Sequence, residues 1–239
     1  MSRLADEEKS LRDRYRRRDA RGEARYSVFE PSYLLALQQR DRIILKRLAG
    51  VGISDLSGLK ILDAGCGSGH EILRLILWGA KPENLTGIDL VPERCEAARR
   101  IDPSISIVNG NLATLPFPDS SFDLVLQFTT FSSILDPAVR AQAAGEINRV
   151  LVPGGHLVWY DFWLNPINRD TRGIRPKEIR KLFPGYRGAI QRLTLAPPIA
   201  RAIASRSRAA IWVLQALWPL QTHYVGVLQR PLEARAAGT

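Results

Sequence analysis

Residues 59–77 read LKILDAGCGSGHEILRLIL, and this stretch decides the fold. Ile61, Leu62, Asp63 and Ala64 make an apolar run closing on a carboxylate, as a buried strand of a parallel sheet does. Gly65, Gly67 and Gly69 follow, alternating with Cys66 and Ser68. Without Cβ atoms, such a backbone turns sharply and can approach a ligand closely. From Ser68 onward, Ile72, Leu73, Leu75, Ile76 and Leu77 predict a helix with a largely apolar face. Strand, glycine turn and helix open a nucleotide-binding βαβ unit.

Spacing narrows the ligand. The turn is G-x-G-x-G rather than the G-x-G-x-x-G of dinucleotide sites, with an acid two residues before its first glycine. A second strand, Leu85-Thr86-Gly87-Ile88, ends in Asp89, placing a carboxylate where a ribose diol can donate to it.

Taken together, DAGCGSG, GIDLVPERCEAAR, NGNLATLPF (109–117), SFDLVLQ and EINRVLVPGG (146–155) resemble, in order, the motifs of class I S-adenosylmethionine-dependent methyltransferases. The resemblance covers about residues 59–162 and implies an α/β, Rossmann-like, seven-stranded sheet. That sheet is mostly parallel, with an antiparallel last strand and helices on both faces. The implied cofactor is S-adenosyl-L-methionine, and the implied cofactor-binding residues are Asp63, Ala64, Gly65, Cys66, Gly67, Gly69, Asp89, Leu90, Asn111, Leu112 and Gln127. In that scheme Asp63 holds the methionine ammonium, Asp89 the ribose hydroxyls, Asn111 and Leu112 the adenine, and Gln127 faces the methyl end. Asn111 departs from the family's Asp; its amide oxygen can still accept from the adenine amino group, for a somewhat weaker site.

Around this core (51–164), residues 1–50 read as a helical arm or cap, and 165–239 as the end of the sheet with an inserted lid at 197–220. Residues 3–25 are charged with both signs, as in a solvated helix or a partly ordered arm. Pro31 to Ala49 is expected as a helix, Pro137 to Val150 as another, with a turn at Pro153-Gly154-Gly155 and a fifth strand from His156 to Phe162. Sixth and seventh strands are expected at 189–195 and 222–229. Between them Arg201, Arg206 and Arg208 precede an apolar run carrying Trp212 and Trp218. Twelve residues (209–220) are too few to span a bilayer, so a lid, a homodimer interface and a peripheral membrane contact all remain open.

Charge is uneven along the chain, whose net charge is +10. Lys and Arg stand nine against six acids over residues 1–26, twelve against fifteen over 27–164, and thirteen against three over 165–239. The basic third points to an anionic acceptor, carrier or surface, with an Arg-rich composition lacking any partner as the alternative. The two cysteines, Cys66 and Cys95, and the absence of a signal-peptide core fit a cytoplasmic protein, membrane-associated if the insertion touches lipid. His70, His156 and His223 lie far apart, so no metal is expected.

For proton removal the candidates are Asp161, which would face the cleft at the end of the fifth strand, its neighbour Tyr160, and His223 with Tyr224. Tyr26 and Tyr33 are candidate acceptor contacts, and Arg169, Arg172 and Arg175 would form a rim suited to a phosphate. The expected reaction is O- or N-methylation of a small-molecule or glycan acceptor, including a carrier-linked sugar. The tail more weakly resembles methyltransferases of bacterial surface-polysaccharide biosynthesis. A non-catalytic S-adenosylmethionine-binding module is the alternative. RNA methylation is disfavoured, because the Asn/Asp-Pro-Pro-aromatic signature and an aromatic-studded basic groove are missing.

Overall fold

The computed structural model describes residues 3–19, 27–165, 168, 170–204, 208–215 and 217–232. Seven strands form one sheet: β1 (Ile61–Ala64), β2 (Leu85–Asp89), β3 (Ser106–Asn109), β4 (Phe122–Phe128), β5 (Leu151–Phe162), β6 (Ile190–Leu195) and β7 (Gln221–Gln229), in the order β3-β2-β1-β4-β5-β7-β6. The first five run parallel, and β7 lies antiparallel between β5 and β6. The order reverses at β1, so the crevice over β1 and β4 is where ligands of such sheets bind.

The helices are α1 (Arg3–Asp19), α2 (Pro31–Gly50), α3 (His70–Leu77), α4 (Pro92–Arg99), α5 (Pro137–Val150), α6 (Pro176–Leu182), α7 (Pro197–Ala204) and α8 (Arg208–Gln215). Proline at the first turn starts α2, α4, α5 and α6, where its missing N–H costs nothing. Asp136 caps α5 by accepting from the N–H groups of Ala138 and Val139.

Alternating residues of the central strands feed two cores. Leu62, Val125 and Trp159 pack with Phe131, Ile147 and Phe183 on the α5–α6 side. Ile61, Leu124, Leu126 and Tyr160 pack with Ile44, Leu48, Ile72 and Leu75 on the side of α2 and α3. Emptying the Trp159 position would cost about 3–5 kcal/mol.

Two expectations are corrected. The turn foreseen at Pro153–Gly155 is a bulge inside one long strand: Phe122 pairs with Leu151, yet Leu124 pairs with His156. No side chain fits at Gly155, because a Cβ there would press on the carbonyl oxygens of Asp123 and Val152. Nor is the charged first helix merely solvated. Arg14 and Tyr15 are buried, and Arg14 Nη2 donates to the carbonyl oxygen of Ser133 and to Glu7 Oε1, each at 2.9 Å. Glu7 Oε1 also accepts from the N–H of Leu135 at 2.8 Å, which latches α1 across the end of β4. Interleaved charges on α1 therefore serve a docked face as well as solvent.

Candidate active site

The glycine turn after β1 is tied to β2. The N–H groups of Gly65 and Cys66 donate to the Ile88 carbonyl oxygen at 2.8 and 3.0 Å. Gly67 N–H donates to Asp89 Oδ2 and Val91 N–H to Asp89 Oδ1, both at 2.9 Å. Gly65 sits at φ +92°, and a Cβ there would collide with the Thr130 side chain, whose Oγ1 donates to the Ala64 carbonyl oxygen at 3.1 Å. Glycine is thus required both by conformation and by the approach of the segment after β4. Gly69 N-caps α3 at φ +85°.

Gly65, Asp89, Leu90, Asn111, Leu112 and Thr130 line one pocket, with Glu7, Leu11 and Tyr15 of α1 as its roof. Tyr15 is held by Arg94, whose guanidinium carbon lies 4.2 Å from the ring centre. The roof sits low: the space beneath it admits only about 40 Å³ of water-sized volume, against about 300 Å³ or more in small-molecule sites. As it stands, the space beneath α1 is too small for a nucleoside. Asn111 closes a local turn, its amide oxygen accepting from Ala113 N–H at 2.9 Å.

Asp63 is buried, and its Oδ2 has no hydrogen-bond partner. Burial pushes its carboxyl well above the ordinary range, helped by the charges of Glu71 and Asp89 and opposed by that of Arg40. An ammonium group would satisfy Oδ2 and reverse that shift. The residues therefore fit S-adenosylmethionine: a buried orphan oxygen for a cation, a carboxylate held by backbone N–H groups for a diol, and a glycine turn between them. Cys66 is no nucleophile, since burial, then the charges of Asp63 and Asp89, raise its thiol far above neutrality.

Arg40 and Glu71 were not foreseen. Arg40 is buried in α2, and its Nη1 and Nη2 donate to both Glu71 oxygens at 2.9 and 2.7 Å. Burial alone would lower its pKa; the charges of Glu71, Tyr160 and Asp41 and the hydrogen bonds to Glu71 together outweigh that and raise it. Its guanidinium carbon lies 4.7 Å from the Phe128 ring centre and 5.3 Å from that of Tyr160. The available signal was a basic residue on the same stripe as Leu37, Ile44 and Leu48.

Three expected acid–base residues are enclosed rather than open. Asp161 does not face the cleft; it is fully buried, its Oδ2 accepting from Ser132 N–H at 2.9 Å and its Oδ1 from Phe162 N–H at 2.7 Å. Burial lifts its carboxyl to about 6. Tyr160 shares a 2.7 Å hydrogen bond with Thr194 Oγ1, and burial pushes its phenol to about 12. His223 stacks on Tyr160 at 4.7 Å and 4°, and burial drives it down to about 3, far too low for a base at neutral pH.

Gln127 also departs from expectation. It is buried beneath the turn after β4, its Oε1 accepting from Thr130 and Phe131 N–H at 3.0 and 3.2 Å, so it shapes that turn. Tyr33, half-buried near the start of α2, lies close enough to Tyr160 to influence its titration. Arg172 lines a different groove, against Pro137 and Glu178 on the α5–α6 side, and Arg175 sits exposed at the start of α6. The phosphate rim expected at the pocket is therefore not assembled there by Arg172. Tyr26, Arg169 and Arg206 lie outside the described residues, and so do the side chains of Arg208, Trp212 and Trp218.

Known proteins similar to this chain include methyltransferases. Residues 62–159 match the family described as "Methyltransferase domain". A probable S-adenosylmethionine-dependent methyltransferase of Mycolicibacterium smegmatis is 35% identical over 117 residues, 49% of this chain and 42% of that protein. The 27-O-demethylrifamycin SV methyltransferase of Amycolatopsis mediterranei is 26% identical over 186 residues, 72% of this chain and 66% of that protein. Among solved structures, the Burkholderia thailandensis 1,6-didemethyltoxoflavin-N1-methyltransferase, bound to 1,6-didemethyltoxoflavin and S-adenosylhomocysteine, aligns with a TM-score of 0.64 at 18% identity, covering 97% of this chain and 92% of that one. The matched stretches span 29% to 66% of the length of the first of these curated relatives. Its fold is the Rossmann-like methyltransferase fold.

Proposed function

We propose that this chain is an S-adenosylmethionine-dependent methyltransferase acting on an oxygen or nitrogen of a small-molecule acceptor. The observation that carries the reading is the acidic surround of the glycine turn. Asp63 with its orphan Oδ2 and Asp89 on the turn's own N–H both favour a cationic ligand. A pyrophosphate cofactor would meet these same carboxylates as like charges. The rifamycin and toxoflavin enzymes act, by their names, on small molecules, which supports the acceptor class.

S-adenosylmethionine held here would supply an electrophilic methyl group to the acceptor's lone pair and leave as neutral S-adenosylhomocysteine, the acceptor's proton passing to solvent. The chain's part is alignment and exclusion of water. Asp63 would hold the ammonium and Asp89 the ribose, while Leu112 and α1 close over the adenine. Alignment of this kind supplies about 7–11 kcal/mol of barrier reduction. Asp161 acts in support, fixing the turn at Phe131–Ser133 against the end of β5. Incubation with methyl-labelled S-adenosylmethionine and a panel of phenols, amines and sugars tests the reading. Label transfer with equal release of S-adenosylhomocysteine supports it; cofactor binding with no transfer to any acceptor would favour the binding-module alternative.

A further inference from the structure

We propose that the rim formed by the start of α2 with α7 and α8 is a docking surface for an anionic lipid bilayer, and that the acceptor is an amphiphile drawn from it. The second clause rests on the methyltransferase reading; the first does not. Phe29 stands 94% exposed just before α2, beside exposed Val28 and Leu34. The start of α2 packs on the inserted helices: Leu35 joins Ala200 of α7 and Ile211 and Leu214 of α8 in one small core. Val213 of α8 is 66% exposed, and Leu217, just beyond α8, and Leu164, after β5, are exposed as well. Leu164 belongs to the same end, because its neighbour Trp163 bonds to the backbone of Gln221 and Thr222.

All of these lie past the C-terminal ends of the parallel strands, on the side where α2 meets β6 and β7. Large apolar side chains gathered on one rim mark a contact surface rather than scatter.

Charge selects the occupant. The sequence of the insertion, 197–220, carries three arginines and no acid. Arg201 is exposed and close enough to Glu30 to lower its pKa, which sets it beside Phe29. A second copy docked on this rim would set like charges face to face, whereas anionic headgroups neutralise them while the acyl boundary takes Phe29 and Val213. No helix among the described residues is long and apolar enough to cross a membrane, so the contact is peripheral.

Sedimentation of the full chain with phosphatidylcholine vesicles, with and without about 30% phosphatidylglycerol, tests the surface. Binding at least about tenfold stronger on the anionic vesicles, weakened by salt and reduced about fivefold or more by Phe29→Ser/Val213→Ser, is expected. Equal partition onto both vesicle types, or unchanged binding by that variant, overturns it. A light-scattering mass that falls from dimer to monomer in the variant would assign the rim to a second copy instead. S-adenosylhomocysteine titration separates the two readings: its loss in the wild type sinks the methyltransferase proposal, while its retention in the variant shows that the fold is intact.

Discussion

The N–H of Gly67 donates to Oδ2 of Asp89 at 2.9 Å, joining the turn after β1 to the end of β2. Through that bond the carboxylate proposed to hold a ribose is oriented before any ligand arrives. Preorganisation of this kind removes an ordering cost from binding.

Gly65→Ala should destabilise the fold and Thr130→Ala should partly rescue it. The new Cβ would strike Thr130 Oγ1 and Cγ2 at a backbone φ of +92°. Strain at that φ stays at about 1–2 kcal/mol, while the steric part disappears with the Thr130 side-chain branches. Chemical denaturation of the two single variants and the double variant should therefore show a non-additive total. Additive losses would mean that the segment after β4 does not approach Gly65 as described.

Arg40→Met should cost about 3–5 kcal/mol, because it leaves Glu71 charged and half-enclosed. Arg40→Met/Glu71→Gln should recover a large share. Melting curves decide it, and equal damage in the single and double variants would contradict a paired role.

Asp63 should make stability fall with rising pH. Its folded pKa lies above the ordinary 3.8, so the folded chain keeps a proton that the unfolded chain releases. That contribution is present below the unfolded value and is lost as pH rises through the folded one. Asp161 acts in the same direction between 3.8 and about 6. Asp63→Asn should flatten the decline in Tm toward alkaline pH and weaken cofactor binding together; a steeper decline would contradict the burial argument.

Arg14→Ala should loosen α1. Its bonds to the Ser133 carbonyl and Glu7 would be lost, and amide exchange along Arg3–Asp19 should rise. Cofactor association and release should both speed up, as the roof lifts more often. Unchanged exchange would show that the latch is immaterial.

The central strands were legible because Ile61–Ala64 and Leu124–Phe128 are short apolar runs buried on both faces. The glycine turn and Asp89 were legible because their spacing is local. What stayed hidden was long-range. Arg14 meets Ser133 across 119 residues, and nothing in the mixed charges of α1 announces it. Asp161 follows a strand whose end looked open, yet Ser132 and Phe162 N–H groups enclose it. Thr194 takes φ +67° between the Leu193–His223 and Leu195–Gln221 pairs of β6 and β7, and its hydroxyl bonds Tyr160; a β-branched residue gives no local sign of that backbone conformation. Arg172 was assigned to the pocket by chain position alone, and its partner Glu178 draws it to the α5–α6 groove.

The most direct test is calorimetric titration of the wild type and Asp89→Asn with S-adenosylhomocysteine, with melting curves alongside. The asparagine keeps one acceptor oxygen for the turn but loses the charge that two ribose hydroxyls would share, a difference of about 1.5–3 kcal/mol per charged hydrogen bond. Wild-type affinity near the micromolar range, weakened roughly 10- to 100-fold in a variant that melts within a few degrees of it, is the predicted result. A folded wild type that binds no S-adenosylhomocysteine, or a variant that binds it equally well, would contradict the assignment of this turn as the cofactor site.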